Sequence, residues 1–154
     1  LSFIIFVGVN CKGKMLSNSS KYTVKAIIYI VNNSSSEHKL LVRDIAKETN
    51  VPKPYLSKLL QLLTSKEFLS STKGPHGGVY LSEKQLKASL LDIIIETEGK
   101  DKLSQCAINF DYCNTQNPCP IHHYIVKAKE DLRKSFKSIT LLDLREKAVL
   151  KKLI

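Results

Sequence analysis

The sequence has no apolar run long enough to cross a bilayer: its opening LSFIIFVGV falls well short of the ~20 residues a spanning helix needs. No basic segment precedes that stretch and no small-residue cleavage site follows it, so it does not read as a secretory signal. Met15 is the expected natural start, residues 1–14 a non-native or disordered extension, and Cys11 a residue without function. Acidic side chains are scarce, 14 against 24 basic ones, which leaves a net charge of +10 with half of the excess in residues 15–81. That bias suits a polyanionic partner. The four cysteines contain no C-x2-C pair, the spacing of common zinc knuckles. Nothing supplies the orienting group or oxyanion site that a catalytic cysteine–histidine pair requires. The reading therefore contains neither an enzyme nor a membrane partner. At 154 residues the chain can form one compact domain with a dimerisation arm.

What the chain does have is concentrated in residues 40–81. Leu56, Leu59, Leu60 and Leu63 recur at three-and-four spacing, which places them on one side of a helix and marks that side as core. The opposite face carries Tyr55, Ser57, Lys58 and Gln61, with Lys53 at the entry, where they can donate to phosphate oxygens or read base edges in a DNA major groove. Pro52 and Pro54 fall in a first turn whose N–H groups have no intrahelical acceptor, so they start this helix near position 52. Residues 41–49 predict a shorter helix before it, with Ile45 and Ala46 inward and Ala46 small enough for a close crossing. Asn50 suits a left-handed turn between the two. Residues 69–73 and 79–81 predict short strands around GPHGG, whose glycines allow positive φ. Lys73 and His76 sit at the tip of that wing, placed to reach a flanking minor groove or phosphate. Residues 20–31 predict a bracing first helix. Ser89 caps another, with Leu90, Leu91, Ile93 and Ile94 buried and Gly99 as its terminator.

DIAKETNVPKPYLSKLLQLL followed by STKGPHGGVYL resembles the winged-helix domain of the Rrf2 family of bacterial transcription regulators. The likeness runs from about residue 15 to residue 144 and includes the YLSK core of the recognition helix and the GPHGG wing. It implies a mainly α fold with a small β wing, in which a winged helix-turn-helix domain carries a long dimerisation helix and binds double-stranded DNA. Two positions depart from the family pattern. Pro52 stands where a serine cap is common, and Lys73 stands where the wing usually carries arginine. Lysine is the more strongly hydrated point charge and fits a narrow minor groove less well, so weaker wing contacts are expected.

Cys106, Cys113, Cys119 and His122 follow the spacing C-x6-C-x5-C-x2-H in a loop that also holds Asn109, Asn114, Asn117 and Pro118. Three of the four cysteines within fourteen positions of an intracellular chain point to a metal or redox site more than to a disulfide framework. The residues alone leave an iron–sulfur cluster, a zinc ion and a reversible disulfide open. The resemblance implies the first. Family members use three cysteines of this loop to hold a cluster, 2Fe–2S or 4Fe–4S, which an aerobic preparation can strip. In one branch a histidine three residues after the last cysteine completes the set, the position of His122, although the first gap here is about one residue longer. Another branch takes a carboxylate from the partner's first helix; the matching place here is near Lys21, which favours His122. His123 and Asp111 are expected to be surface and loop residues.

From Pro120 a long helix is expected. Ile121, Ile125, Ala128, Leu132 and Phe136, with Ile139, alternate by four and three and form a seam for a partner helix. A homodimer follows, and with it an operator that is a rough inverted repeat. Leu141, Leu142 and Leu144 are expected to fold back. The organisation is then 15–99 winged helix-turn-helix domain, 100–119 cysteine-rich sensor loop, and 120–154 dimerisation helix and tail. The resulting function is a cytoplasmic DNA-binding transcription regulator, a repressor, whose affinity is switched by an iron–sulfur cluster or thiol redox state. The competing class is a helical adaptor with a structural zinc, which would show no salt-dependent binding to duplex DNA.

Overall fold

The computed structural model describes residues 16–99 and 116–146. The expected extension 1–14, Cys106, Asp111, Cys113 and the end of the tail lie outside the described residues. Six helices and one hairpin follow in order: α1 Asn18–Asn33, α2 Val42–Thr49, α3 Lys53–Ser65, β1 Ser70–Thr72, β2 Gly78–Tyr80, a 3-10 turn Gln85–Lys87, α4 Leu90–Glu98, α5 His122–Ser138 and α6 Leu141–Glu146. The mainly α fold with a small β wing is what the chain adopts.

Helix α1 starts at Ser17, whose hydroxyl accepts the Ser20 N–H at 3.2 Å and so satisfies one orphan donor of the first turn. Ala26, Ile27 and Ile30 have no exposed surface, and Val31 almost none. Their spacing puts all of them on one side, and α2, α3, α4 and α6 pack around α1. Helix α2 buries Ile45 and Ala46 and ends at Asn50, which takes the left-handed conformation (φ 52°, ψ 43°) and donates its N–H to the Ala46 carbonyl. Helix α3 follows Pro52 and turns Leu56, Leu59, Leu60 and Leu63 into the core, as their spacing requires.

In the antiparallel hairpin Ser70 faces Tyr80 and Thr72 faces Gly78. Strands of three residues are marginal alone. A further rung on the outer edge of β2 supports them: Leu40 donates its N–H to the Val79 carbonyl and accepts from the Val79 N–H, both at 2.9 Å. Sequence patterning does not reveal that rung, because a single bridging residue has no period. Leu69 and Leu81 are buried at the hairpin's base, and Gln85 holds it to the body by accepting from the Ser82 N–H (2.9 Å) and donating to the Glu67 carbonyl (3.0 Å).

Helix α4 carries the full capping box of Ser89 and Asp92 and buries Leu90, Leu91, Ile93 and Ile94. Helix α5 starts at His122, after a turn through Pro120 and Ile121. At its far end the Leu90 N–H donates to the Ile139 carbonyl (2.8 Å) and the Leu141 N–H to the Ala88 carbonyl (2.9 Å), which folds the chain back. The segment of Leu141, Leu142 and Leu144 folds back as expected, with Leu141 fully buried, Leu144 packed on the core and Leu142 exposed. One residue after Leu141 on a short helix, it points about a quarter-turn away from the body. Asn32 Nδ2 donates to the Leu144 carbonyl (3.2 Å) and Arg145 Nε to the Val31 carbonyl (3.3 Å), closing α6 on the end of α1.

Asp92 joins two of these features. Its carboxylate accepts from the Ser89 N–H and hydroxyl at 3.2 and 2.6 Å and pairs with Lys137 of α5 at 3.0 and 3.1 Å. Partial burial works to raise its pKa, but the Ser89 hydroxyl, the Lys137 ammonium and the Ser89 N–H outweigh that and hold it below the usual carboxylate value. A depressed pKa contributes stability that is complete above the unfolded value of about 4 and is lost as pH falls through the lowered one. Asp92→Ala should therefore cost about 1 kcal/mol at pH 7, typical of a lost cap, and the gap from wild type should narrow below about pH 4. Thermal unfolding of both proteins at pH 7 and pH 3 checks this; an equal gap at the two pH values would refute it.

Candidate nucleic-acid interface

On α3 the residues opposite the leucines are Pro54, Lys58, Gln61 and Ser65, all exposed, with Lys53 at the entry and Ser57 half-buried on the flank. Pro54 and Ser65 share the face with Lys58 and Gln61 and were missed, although the same helical spacing could have found them. The Ser57 hydroxyl donates to the Lys53 carbonyl at 2.9 Å, so its oxygen meets the outside as an acceptor. Among the described residues, no carboxylate lies within ion-pair distance of Lys53, Lys58 or Lys73. Their charges face solvent uncompensated.

Tyr55 is placed differently from the other sequence-predicted residues of this helix. It is 38% exposed, its hydroxyl is hydrogen-bonded to the Ser19 hydroxyl of α1, and its ring meets the edge of Tyr22 at 5.6 Å and 81°. It lies on the flank toward α1 and not on the outward crest.

Lys73 and His76 are exposed in the loop joining β1 and β2. The Gly77 N–H donates to the Gly74 carbonyl at 2.9 Å and closes the turn. A Cβ on Gly77 would stand 2.5 Å from the Thr72 carbonyl oxygen. One on Gly78 would stand 2.7 Å from that of Leu40, so glycine there is what lets the Leu40 rung form. Between α3 and the wing runs a cleft lined by Val42, Leu60 and Val79 as well as by Ser57, Gln61, Thr64, Ser71 and Thr72. A convex helix, an uncharged cleft and a projecting basic hairpin match the relief of a duplex, with the helix sized for the major groove and the hairpin for the flanking strand.

Of the expected metal ligands, Cys119 and His122 fall among the described residues. Both are half-buried and lie one turn apart at the start of α5, with the His122 N–H donating to the Cys119 carbonyl at 2.9 Å. The exposed His123 ring stands against the His122 ring at 5.7 Å and 86°. A thiol and an imidazole are donors that iron and zinc both accept. Among the described residues no group of three His, Cys, Asp or Glu could hold a metal; Cys106 and Cys113 lie outside them.

None of the side chains of α5 is buried. Phe136 and Ile139, at its far end, pack on Leu90, Leu91 and Ile94 together with Leu16 and Val24 of their own body. Ile125 and Leu132 are half-buried, whereas Ile121 and Ala128 are exposed. Tyr124, which the four-and-three spacing does not select, is 78% exposed. Among the described residues, the expected seam is thus divided between an end resting on the chain's own α4 and a beginning that is more exposed.

The model of the Rrf2 family, described as an iron-dependent transcriptional regulator, matches residues 16–147. A chain of Aquifex aeolicus named as an HTH-type transcriptional regulator is 30% identical over 84% of this chain and 90% of its own length. The regulator NsrR of Geobacillus kaustophilus is 24% identical over 85% of this chain and 89% of its own. Among solved structures, the IscR of T. potens superposes with a TM-score of 0.65 at 25% identity, covering 85% of each chain. The global cysteine regulator CymR of B. subtilis superposes with a TM-score of 0.69 at 21% identity, covering 85% of this chain and 95% of its own, a likeness of fold.

Proposed function

Because the chain belongs to the Rrf2 family, and is therefore a DNA-binding transcription regulator and not an enzyme, we propose that α3 enters the major groove while the wing rests on the flanking backbone or minor groove. The observation that carries this reading is the set of uncompensated lysines, Lys53 and Lys58 on α3 and Lys73 on the wing, on either side of an uncharged cleft. Lys58 and Gln61 are the base-edge readers by chemistry and exposure, and Ser57 adds an acceptor. Lys53, Lys73 and His76 hold phosphate or the flanking groove.

The reading extends to a homodimer. The open beginning of α5, with Ile121, Ile125, Ala128 and Tyr124, is apolar surface on a helix that its own body touches mainly at the other end. Pairing two such arms about a two-fold axis covers that surface and holds two recognition helices at a set distance, which calls for an operator in the form of a rough inverted repeat. Leu132 and Phe136 would continue the interface where the arm meets the body. Residues 15–99 then act as the DNA-binding unit, 100–119 as the sensor loop and 120–154 as the arm and tail, in a cytoplasmic repressor.

The signal is assigned to an iron–sulfur cluster held by Cys106, Cys113, Cys119 and His122. Bound there, a cluster supplies a soft, oxidisable link whose presence depends on redox conditions. The chain's own contribution is placement: Cys106 and Cys113 follow α4 in sequence, while Cys119 and His122 open α5. Ligation by all four joins the end of the DNA-binding unit to the start of the arm. Loss of ligation releases that join and lets the spacing of the two winged units change, a two-state element biased by a bound group.

Three outcomes test the proposal. Lys58→Glu and Lys73→Glu should each weaken binding to all duplex sequences and flatten the dependence of affinity on salt by about one unit of slope; unchanged binding in the double variant would sink the DNA face. Sedimentation at micromolar concentration should give a dimer, with Ile121→Asp shifting it toward monomer, and a native monomer would remove the arm pairing. Anaerobically purified protein should be brown, and the triple alanine variant at Cys106, Cys113 and Cys119 colourless with altered DNA affinity. Equal affinity of the two for a selected duplex would reduce the cysteines to a structural part.

A further inference from the structure

We propose that Tyr55 is a positioning residue: its hydroxyl, bonded to Ser19, fixes the recognition helix α3 on the first turn of α1, and that turn is itself set by Glu98 at the end of α4. The inference rests on the reading that α3 faces DNA.

Tyr55 stands about a quarter-turn away from the crest formed by Pro54, Lys58, Gln61 and Ser65. Two independent contacts hold it there, the hydroxyl pair with Ser19 and the edge-to-face ring contact with Tyr22. Both partners lie in the first turns of α1. A tyrosine committed on both its polar and its aromatic side has little left to offer a base, but it can fix the rotation of α3 about its own axis, and thereby where Lys58 and Gln61 point.

The first turn of α1 carries no acidic residue of its own. Glu98 supplies one from a distance of 81 positions in sequence: its Oε1 accepts the Ser17 N–H at 2.6 Å. Glu98 is also the last residue of α4, where the helix dipole disfavours a negative charge. The positive end of α1 offsets that cost, so the carboxylate is better placed across the gap than on its own helix. Thr97 reinforces the contact with its hydroxyl 3.4 Å from that of Thr23. The turn holding Ser17 and Ser19 is therefore in contact with the recognition helix on one side and with the end of α4 on the other. Glu98 is the second-last described residue before the segment that bears Cys106.

Affinity for a duplex selected by the wild-type protein from a random-sequence library tests the coupling. Ser19→Ala and Tyr55→Phe should each weaken binding roughly three- to tenfold, the scale of one hydrogen bond, and the double variant should bind no worse than the weaker single one. The salt slope should stay at its wild-type value, since no phosphate contact is removed. Glu98→Ala should also weaken binding, and do so less in the Tyr55→Phe background than alone. Silence of Ser19→Ala beside an effect of Tyr55→Phe would mean that Tyr55 touches DNA directly and would overturn the proposal, as would full additivity or unchanged affinity throughout. Lys58→Glu in the same assay separates the two levels of argument. If it binds normally, the placement of α3 in the groove fails; if it is impaired while Ser19→Ala is silent, only the positioning role fails.

Discussion

The buried side of α1 is the constraint on which the rest of the body depends. Ala26, Ile27 and Ile30 are fully enclosed by side chains from helices before and after the wing. Burial of each isoleucine is worth roughly 1.5–3 kcal/mol, and any helix that moved off this surface would expose it. The consequence is geometric as well as energetic. Helix α3, which carries the proposed DNA face, and α4 and α6, next to the arm, all rest on this one support. A rotation of α1 would displace both, so the position of the recognition helix and the seating of the arm are not independent quantities.

The wing illustrates a second kind of constraint, one carried by backbone. A two-stranded hairpin with three residues a side cannot stand alone, and it is held by Leu40 along one edge and by Leu69 and Leu81 at its base. Gly78 permits the close approach that the Leu40 rung needs. With its base anchored in this way, the tip can be short, polar and exposed, and Lys73 and His76 can project without apolar support. The weaker fit of lysine to a narrow groove leaves the tip better suited to phosphate than to groove shape.

At the other end of the molecule, α5 is seated, among the described residues, by its last turns. Phe136, Ile139 and the Lys137–Asp92 pair hold it to α4, and the backbone bonds of Leu90 and Leu141 fix the fold-back into α6. Among the described residues, the first turns of α5, which begin at His122 just after Cys119, pack on no comparable apolar cluster.

Local chemistry made much of this legible in the sequence. The leucine spacing of α3, the prolines at its start, Asn50 in the left-handed turn, the Ser89 cap and Gly99 terminator of α4, and the GPHGG turn each act within a few residues, so pattern and propensity determine them. The basic crest of α3 was readable for the same reason: helical geometry converts spacing into a face. What the tertiary structure alone decided are contacts between residues far apart in sequence, which leave no period to detect. Leu40 added a rung to the edge of the wing, Asp92 met Lys137, Glu98 reached Ser17, and Phe136 turned to its own α4. Tyr55 shows the boundary most clearly. Its position on α3 follows from the sequence, but its direction was settled by Ser19 and Tyr22, residues more than thirty positions away that only folding brings beside it.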